Sequence, residues 1–144
     1  PATLERAVRP HVRARGDVHR RRVERRECAH LVGLRDAAKL RQETLRLVVV
    51  LDRARGTAVR FASNARLTLT DDDYTIAVAL PDTMMEVWRA PGPGADAVGL
   101  GGAGAPILFG PAGVAVGASN RTLVLTAGSS SRRIILSRLG RITW

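Results

Sequence analysis

The chain has 144 residues, of which 45% are hydrophobic and only 3% aromatic, and its formal net charge is +10. This length supports one hydrophobic core without requiring a second domain, and the scarcity of aromatic side chains disfavours a deep cofactor pocket. Residues 1–66 hold 17 basic and 7 acidic side chains, whereas residues 67–144 hold 6 of each. The basic half therefore attracts phosphate groups, on nucleic acid or on anionic lipid, without reading a sequence.

The first segment, residues 1–27, is dense in arginine and shows no sustained apolar period. Like charge at this density is typical of a disordered or loosely helical segment. The segment also lacks the apolar run of a signal peptide or of a transmembrane helix. We therefore predict a basic tail over residues 1–28 and a globular domain over residues 29–144.

A helical pattern follows the tail, with apolar or small side chains recurring at alternating spacings of three and four residues. This spacing predicts one helix from near Ala29 to Ala62 with a single buried stripe. We expect the stripe to hold the helix against a sheet through Ala37, Leu40, Leu47, Leu51, Ala54 and Phe61.

Short runs with strand character, separated by Gly, Pro, Asn or Ser, fill the rest of the chain. We predict strands at Arg66–Thr70, Tyr74–Leu80, Met84–Trp88, Ile107–Phe109, Val114–Val116, Thr122–Thr126, Arg133–Leu136 and Arg141–Thr143. Residues 91–105 (PGPGADAVGLGGAGA) predict a flexible loop by their composition. A long helix followed by antiparallel strands defines an α+β fold.

Two motifs formally match ligand-binding patterns. Gly99 to Gly104 fits G-x-G-x-x-G, but a dinucleotide site needs a helix after the last glycine, and a predicted strand follows instead. Asp71-Asp72-Asp73 lacks the alternating ligands and the distal Glu of a calcium loop, so we interpret it as a turn. Neither motif predicts a ligand.

The remaining reactive side chains form no catalytic or metal-binding constellation. His11, His19 and His30 have no cysteine or carboxylate at a fixed ligand spacing. Cys28 is the single cysteine, which excludes an internal disulfide and favours an inert thiol. We therefore expect no enzyme activity, no cofactor and no metal.

Four arginines lie close together on the predicted C-terminal strands: Arg132, Arg133, Arg138 and Arg141. Those that face outward would form a basic patch able to bind phosphate, including that of DNA. The competing interpretation is a solvated strand face, which is favoured because the chain has few aromatic side chains for stacking on bases.

From about Leu31 to Trp144 the sequence resembles the H-type pseudopilins (GspH) of type II secretion and the FimT-like type IV minor pilins. The resemblance rests on the helix LRDAAKLRQETLRLVVVLDRARGTAVRFASNARLTLT, the strand around Tyr74, the turn ILFGPAG and the closing LGRI. It implies a pilin-like fold and a structural, non-enzymatic subunit of a filament that assists protein export. Its partners would be other pseudopilin or pilin subunits, and its globular domain would be periplasmic or extracellular, anchored in the inner membrane.

In this family the first half of the helix is hydrophobic and follows a Gly-Phe-Thr-Leu-Ile-Glu type of site that a peptidase cleaves and methylates. As printed, residues 1–28 show neither feature, so the resemblance implies that the membrane half of the helix is absent or frame-shifted. The codons of Gly16 to Arg26, read one base later, permit F-T-V-V-E-L-S-V-V after Asp17. The arginine run is thus a candidate frame-shifted prepilin motif.

The alternative function is DNA binding, either by a FimT-like minor pilin engaged in DNA uptake or by a cytosolic basic module. Some FimT-like pilins are linked to DNA through a C-terminal Gly-Arg-x-Arg. Here Gly140-Arg141-Ile142-Thr143 lacks the second arginine, and this departure favours the structural subunit.

Overall fold

The computed structural model describes the backbone of residues 13–117 and 120–144 and the side chains of residues 30–117 and 120–144. Within these ranges one helix, α1 (Arg13–Phe61), precedes all the strands. A short 3-10 helix (Pro93–Asp96) lies among the strands. The strands are β1 (Ala65–Leu69), β2 (Asp73–Ala79), β3 (Met84–Pro91), β4 (Gly99–Gly101), β5 (Ile107–Phe109), β6 (Ala115–Val116), β7 (Arg121–Ala127), β8 (Ser130–Leu136) and β9 (Ile142–Thr143).

The start of α1 near Ala29 was predicted wrongly, because the helix begins at Arg13. Arginine and glutamate have high intrinsic helix propensity, so residues 13–28 form a helix without an apolar stripe. The prediction for residues 1–12 lies outside the described residues. Two compact units are formed by residues 1–34 and 35–144, and the proposed boundary at residue 28 stays a prediction. No helix of the described ranges is both long and apolar enough to cross a bilayer.

The strands form two antiparallel sheets. The first has the order β3-β2-β1-β5-β6 and the second the order β4-β7-β8-β9. In the first sheet Leu67 of β1 pairs with Ile76 of β2, and in the second Leu123 of β7 pairs with Ile134 of β8. All four side chains are fully buried. Because side chains alternate along a strand, this register places one apolar face of each sheet in the core.

One face of α1 completes this core. Leu40, Leu47, Leu51 and Ala54 are buried with the apolar faces of both sheets. The prediction was wrong for Ala37, which is exposed, and for Phe61, whose side chain is 44% exposed. Helical periodicity identifies the buried face but not where the facing sheets end, and both residues lie beyond the buried stretch from Leu40 to Ala58.

Residues 91–105 are an ordered connection, so the prediction of a flexible loop was wrong. After the 3-10 helix, Leu100 of β4 pairs with Leu125 of β7. A Cβ atom added to Gly92 would lie 2.5 Å from the backbone oxygen of Asp71, and one added to Gly94 would lie 2.8 Å from the same atom. These glycines permit a close backbone approach, which composition alone does not distinguish from flexibility.

Candidate functional site

A buried carboxylate joins α1 to the first sheet. The hydroxyl of Tyr74 on β2 donates a hydrogen bond to Oε1 of Glu43 at 2.8 Å, and both residues are almost fully buried. Nη1 of Arg46 lies 3.6 Å from Oε2 of Glu43, and Nη2 of Arg46 donates to the carbonyl oxygen of Pro91 at 2.7 Å. One turn of the helix is therefore tied to β2 and to the end of β3.

The electrostatics of this junction suit a structural role. Burial raises the pKa of the Tyr74 hydroxyl above its ordinary value, and the adjacent Glu43 carboxylate raises this pKa further. The hydroxyl therefore remains protonated at neutral pH and keeps donating to Glu43. A group that titrates far above neutral pH is a poor acid–base catalyst.

Sequence reasoning missed this junction. Glu43 lies beside the apolar stripe of α1, one residue before Thr44 and four before Leu47, and the predicted buried stripe did not include it. Glutamate is rarely fully buried unless it is paired. The position of Glu43 at the border of the stripe was the only sequence signal for its burial. Its partner could not be predicted, because Tyr74 is distant in the sequence.

Asp71 and Asp72 form the bend between β1 and β2, and Asp73 is the first residue of β2. Oδ1 of Asp71 accepts a hydrogen bond from the backbone N–H of Leu100 at 2.8 Å. Oδ1 of Asp73 accepts from the hydroxyl of Thr70 at 2.9 Å, and Oδ2 of Asp73 lies 3.1 Å from Nη1 of Arg89. The Asp71 carboxylate thus fixes β4, which contains the first glycines of the G-x-G-x-x-G match, at the edge of the second sheet.

The C-terminal arginines are all exposed, but they do not share one face. Arg132 and Arg133 are consecutive in β8, so their side chains leave opposite faces of the sheet. Arg138 and Arg141 belong to the turn in which the N–H of Ser137 donates to the carbonyl oxygen of Arg141 at 2.8 Å. The spacing of β-strand residues separates Arg133 from this turn by about 13 Å along β8.

Other sequence candidates fall partly outside the described side chains. His11 lies outside the described residues, and the side chains of His19 and Cys28 lie outside them as well. His30 is exposed on α1.

Exposed apolar side chains and open sheet edges lie on the surface of the second unit. Leu139 in the last turn is 79% exposed, and the terminal Trp144 is 59% exposed. β3 and β6 are the edges of the first sheet, and β4 and β9 are the edges of the second. Edge strands present unpaired backbone donors and acceptors to a neighbouring chain.

A long helix packed by one face against antiparallel sheets, with a buried structural junction, defines a pilin-like α+β protein. The family model described as "Type II transport protein GspH" matches residues 43–140. The chain belongs to this family, and the resemblance and the fold class predicted from the sequence are confirmed. It is a minor pseudopilin or pilin subunit of a type II secretion or type IV pilus-like system.

Solved structures show the same fold. The chain is similar to the type IV minor pilin FimU of Pseudomonas aeruginosa strain PAO1 in a P21 crystal form, with a TM-score of 0.63 and 19% identity over 74% of this chain and 88% of that chain. A P65 crystal form of FimU gives a TM-score of 0.57 and 18% identity over 72% of this chain and 90% of that chain. No curated protein matches the chain.

Proposed function

We propose that this protein is a non-enzymatic minor subunit whose globular part contacts other pilin-like subunits in a filament that assists protein export. The observation that carries the proposal is the family match over residues 43–140, which includes the Glu43 junction and nearly all of the strands. The function of this domain is then to present a fixed surface to its neighbours and not to bind a small substrate.

The surface proposed for these contacts consists of the sheet edges and the C-terminal turn. Leu139 and Trp144 expose large apolar side chains at the end of the chain, beside the edge strand β9. An apolar side chain next to an open edge allows packing and main-chain hydrogen bonds to be combined in one contact.

We further propose that the globular domain lies in the periplasm or outside the cell and is held at the inner membrane by an apolar helix. Support comes from the family alone. Resequencing the gene from upstream of Pro1 through the codon of Leu34 tests this proposal. An open frame encoding a Gly-Phe-Thr-like site and about twenty apolar residues is expected, whereas a confirmed arginine-rich frame with no such segment would contradict it.

Pairwise co-purification tests the assembly function. The full chain is co-expressed with each pilin-like subunit encoded in the same genome, and we expect a stable complex with at least one of them. Leu139→Asp should weaken this complex, because it places a charge at the proposed apolar contact. Thr126→Asp is the matched control, since Thr126 is exposed at the end of β7 far from the C-terminal turn, where it pairs with Ser131. A chain that binds none of these subunits would contradict the proposal.

DNA binding remains the second candidate because all four C-terminal arginines are exposed. Their division between two sheet faces and a turn disfavours a single phosphate-binding patch. Exposed arginines without aromatic neighbours bind nucleic acid mainly through salt-dependent charge attraction. We therefore rank DNA binding below subunit contact.

A further inference from the structure

An open cleft of about 430 Å³ lies between the C-terminal turns of α1 and strand β3. Its walls are formed by Arg53, Gly56, Thr57, Arg60, Phe61 and Val87. The cleft is separate from the Glu43 junction and from the C-terminal turn.

Two arginines in this cleft are held by aromatic rings. The guanidinium carbon of Arg53 lies 5.0 Å from the centre of the Trp88 ring, and that of Arg60 lies 5.9 Å from the centre of the Phe61 ring. Stacking on an aromatic face restricts the guanidinium plane and leaves its N–H edges available for a ligand. Both arginines are thus positioned before any ligand arrives.

A β-bulge in β3 contributes the strand side of the cleft. Ile76 pairs with Trp88 and Ala77 pairs with Glu86, so Val87 is the extra residue in β3. Val87 and Trp88 are consecutive, yet both are partly buried against the core. A bulge changes the direction of neighbouring side chains, and here it brings both residues to the helix side.

On the helix side of the cleft, the two arginines are spaced to contact two separate groups of one ligand. Arg53 and Arg60 are seven residues apart in α1, which places them on one face and about 10 Å apart along the axis. Gly56 lies between them, and a Cβ atom added there would meet nothing within 4 Å. The space between the two arginines is therefore open.

The charge of this cleft is not compensated by the described part of the chain. Among residues 30–117 and 120–144, neither guanidinium forms an ion pair, and the nearby Asp52 pairs with Arg55 at 3.7 Å. The cleft also lies at the negative end of the α1 dipole, so the attraction for an anion depends on the two arginines.

We propose that this cleft binds an acidic helix of a neighbouring subunit through two carboxylates seven residues apart, an inference that rests on the proposed assembly function. Carboxylates with this spacing on a second helix lie about 10 Å apart along its axis, which is the axial spacing of Arg53 and Arg60 on α1. A guanidinium binds a carboxylate through charge-assisted hydrogen bonds. A second copy of the chain is disfavoured by its net charge of +10. A nucleic acid strand is disfavoured because arginines already cover the Phe61 and Trp88 rings on which bases would stack.

A titration of the isotopically labelled full chain with a helical peptide tests the cleft. The peptide carries two glutamates seven residues apart, and its control carries glutamines instead. We expect the glutamate peptide to shift the NMR signals of the Gly56 amide and the Trp88 indole, and the glutamine peptide to leave them unchanged. Equal shifts with both peptides would overturn the proposal.

Matched variants separate a specific contact from general charge attraction. Arg53→Gln/Arg60→Gln should weaken peptide binding about tenfold, because each exposed ion pair contributes roughly three- to fourfold. Arg35→Gln/Arg41→Gln is the control, since it removes the same two charges from exposed positions of α1 outside the cleft. Unchanged binding by the Arg53/Arg60 variant, or an equal loss in the control, would contradict the proposal.

Two further measurements are needed. One distinguishes nucleic acid from an acidic helix as the occupant of the cleft, and the other separates the cleft proposal from the assembly function. A single-stranded oligonucleotide that binds the cleft more tightly than the glutamate peptide would identify nucleic acid as the occupant and overturn the proposal. If the unsubstituted chain binds no pilin-like subunit, the assembly function fails, while the peptide titration still decides whether the cleft takes carboxylates. If the double variant still forms the subunit complex at full affinity, the cleft proposal fails and the assembly function stands.

Discussion

Removing the Tyr74 hydroxyl tests the buried junction between α1 and the first sheet. Tyr74→Phe keeps the ring but deletes the 2.8 Å hydrogen bond to Oε1 of Glu43. Oε2 of Glu43 has no hydrogen-bond partner in the described part of the chain, so the carboxylate would keep only its 3.6 Å contact with Arg46. A hydrogen bond to a charged group contributes about 1.5–3 kcal/mol. We therefore expect the free energy of unfolding to fall by about 2 kcal/mol.

Urea denaturation of the full chain at neutral pH, followed by circular dichroism, measures this loss. Tyr74→Phe should lower the midpoint without changing the slope of the transition. Thr122→Val is the control, because this exposed hydroxyl makes no side-chain hydrogen bond among the described residues. The control should stay within about 0.5 kcal/mol of the unsubstituted chain.

A double-mutant cycle separates this bond from the packing of the ring. Glu43→Leu alone leaves the Tyr74 hydroxyl buried without its acceptor, whereas Glu43→Leu with Tyr74→Phe removes both partners. We expect the double variant to be less destabilised than the sum of the two single variants. If Tyr74→Phe changes the free energy of unfolding by less than about 0.5 kcal/mol, and the effects are additive, the assigned role of the junction is refuted.

Three further predictions concern the β3–β4 connection, the tyrosine and the arginines. Gly92→Ala should destabilise the chain by about 2 kcal/mol in the same assay, because its Cβ would lie 2.5 Å from a backbone oxygen. Gly104→Ala, whose Cβ meets nothing within 4 Å, should be near neutral. Folding raises the pKa of the Tyr74 hydroxyl, so its contribution to stability is complete below about pH 10, the pKa of tyrosine in the unfolded chain. This contribution falls as the pH rises above that value towards the pKa in the folded chain. Tyr74 is the single tyrosine, so absorbance should show tyrosinate near pH 11 in the urea-unfolded chain but not in the folded chain; equal titration would contradict this. Duplex-DNA affinity should fall steeply with salt but change less than about threefold in Arg133→Ala/Arg141→Ala, and a much larger loss would favour the DNA-binding alternative.

Local sequence pattern predicted those features that depend on residues close together in the chain. The alternation of three- and four-residue spacings predicted the buried face of α1 through Leu47 and Leu51, because a helix repeats every 3.6 residues. The same pattern did not predict the exposure of Phe61, since the extent of the facing sheets depends on strands later in the chain. The order of the strands in two sheets depends likewise on pairings between distant segments.

The surfaces and junctions that matter for function depend on such distant pairings. Glu43 looked like one of several charged residues on α1, and only its contact with Tyr74 shows why it is buried. The bulge in β3 places Trp88 beside Arg53 of α1, a contact between segments that are distant in the sequence. Gly92 illustrates the same limit, because its role comes from the close approach of the Asp71 backbone.

Site-specific photo-crosslinking in the native host tests most directly whether this protein is a filament subunit. A photoreactive amino acid replaces Leu139, which is 79% exposed in the C-terminal turn, and a second chain carries it at the fully buried Leu47 as the control. If the protein is a filament subunit, position 139 captures another pilin-like subunit and position 47 captures none. Capture of nucleic acid, or of no pilin-like subunit while the other subunits crosslink to one another, would show that it is not.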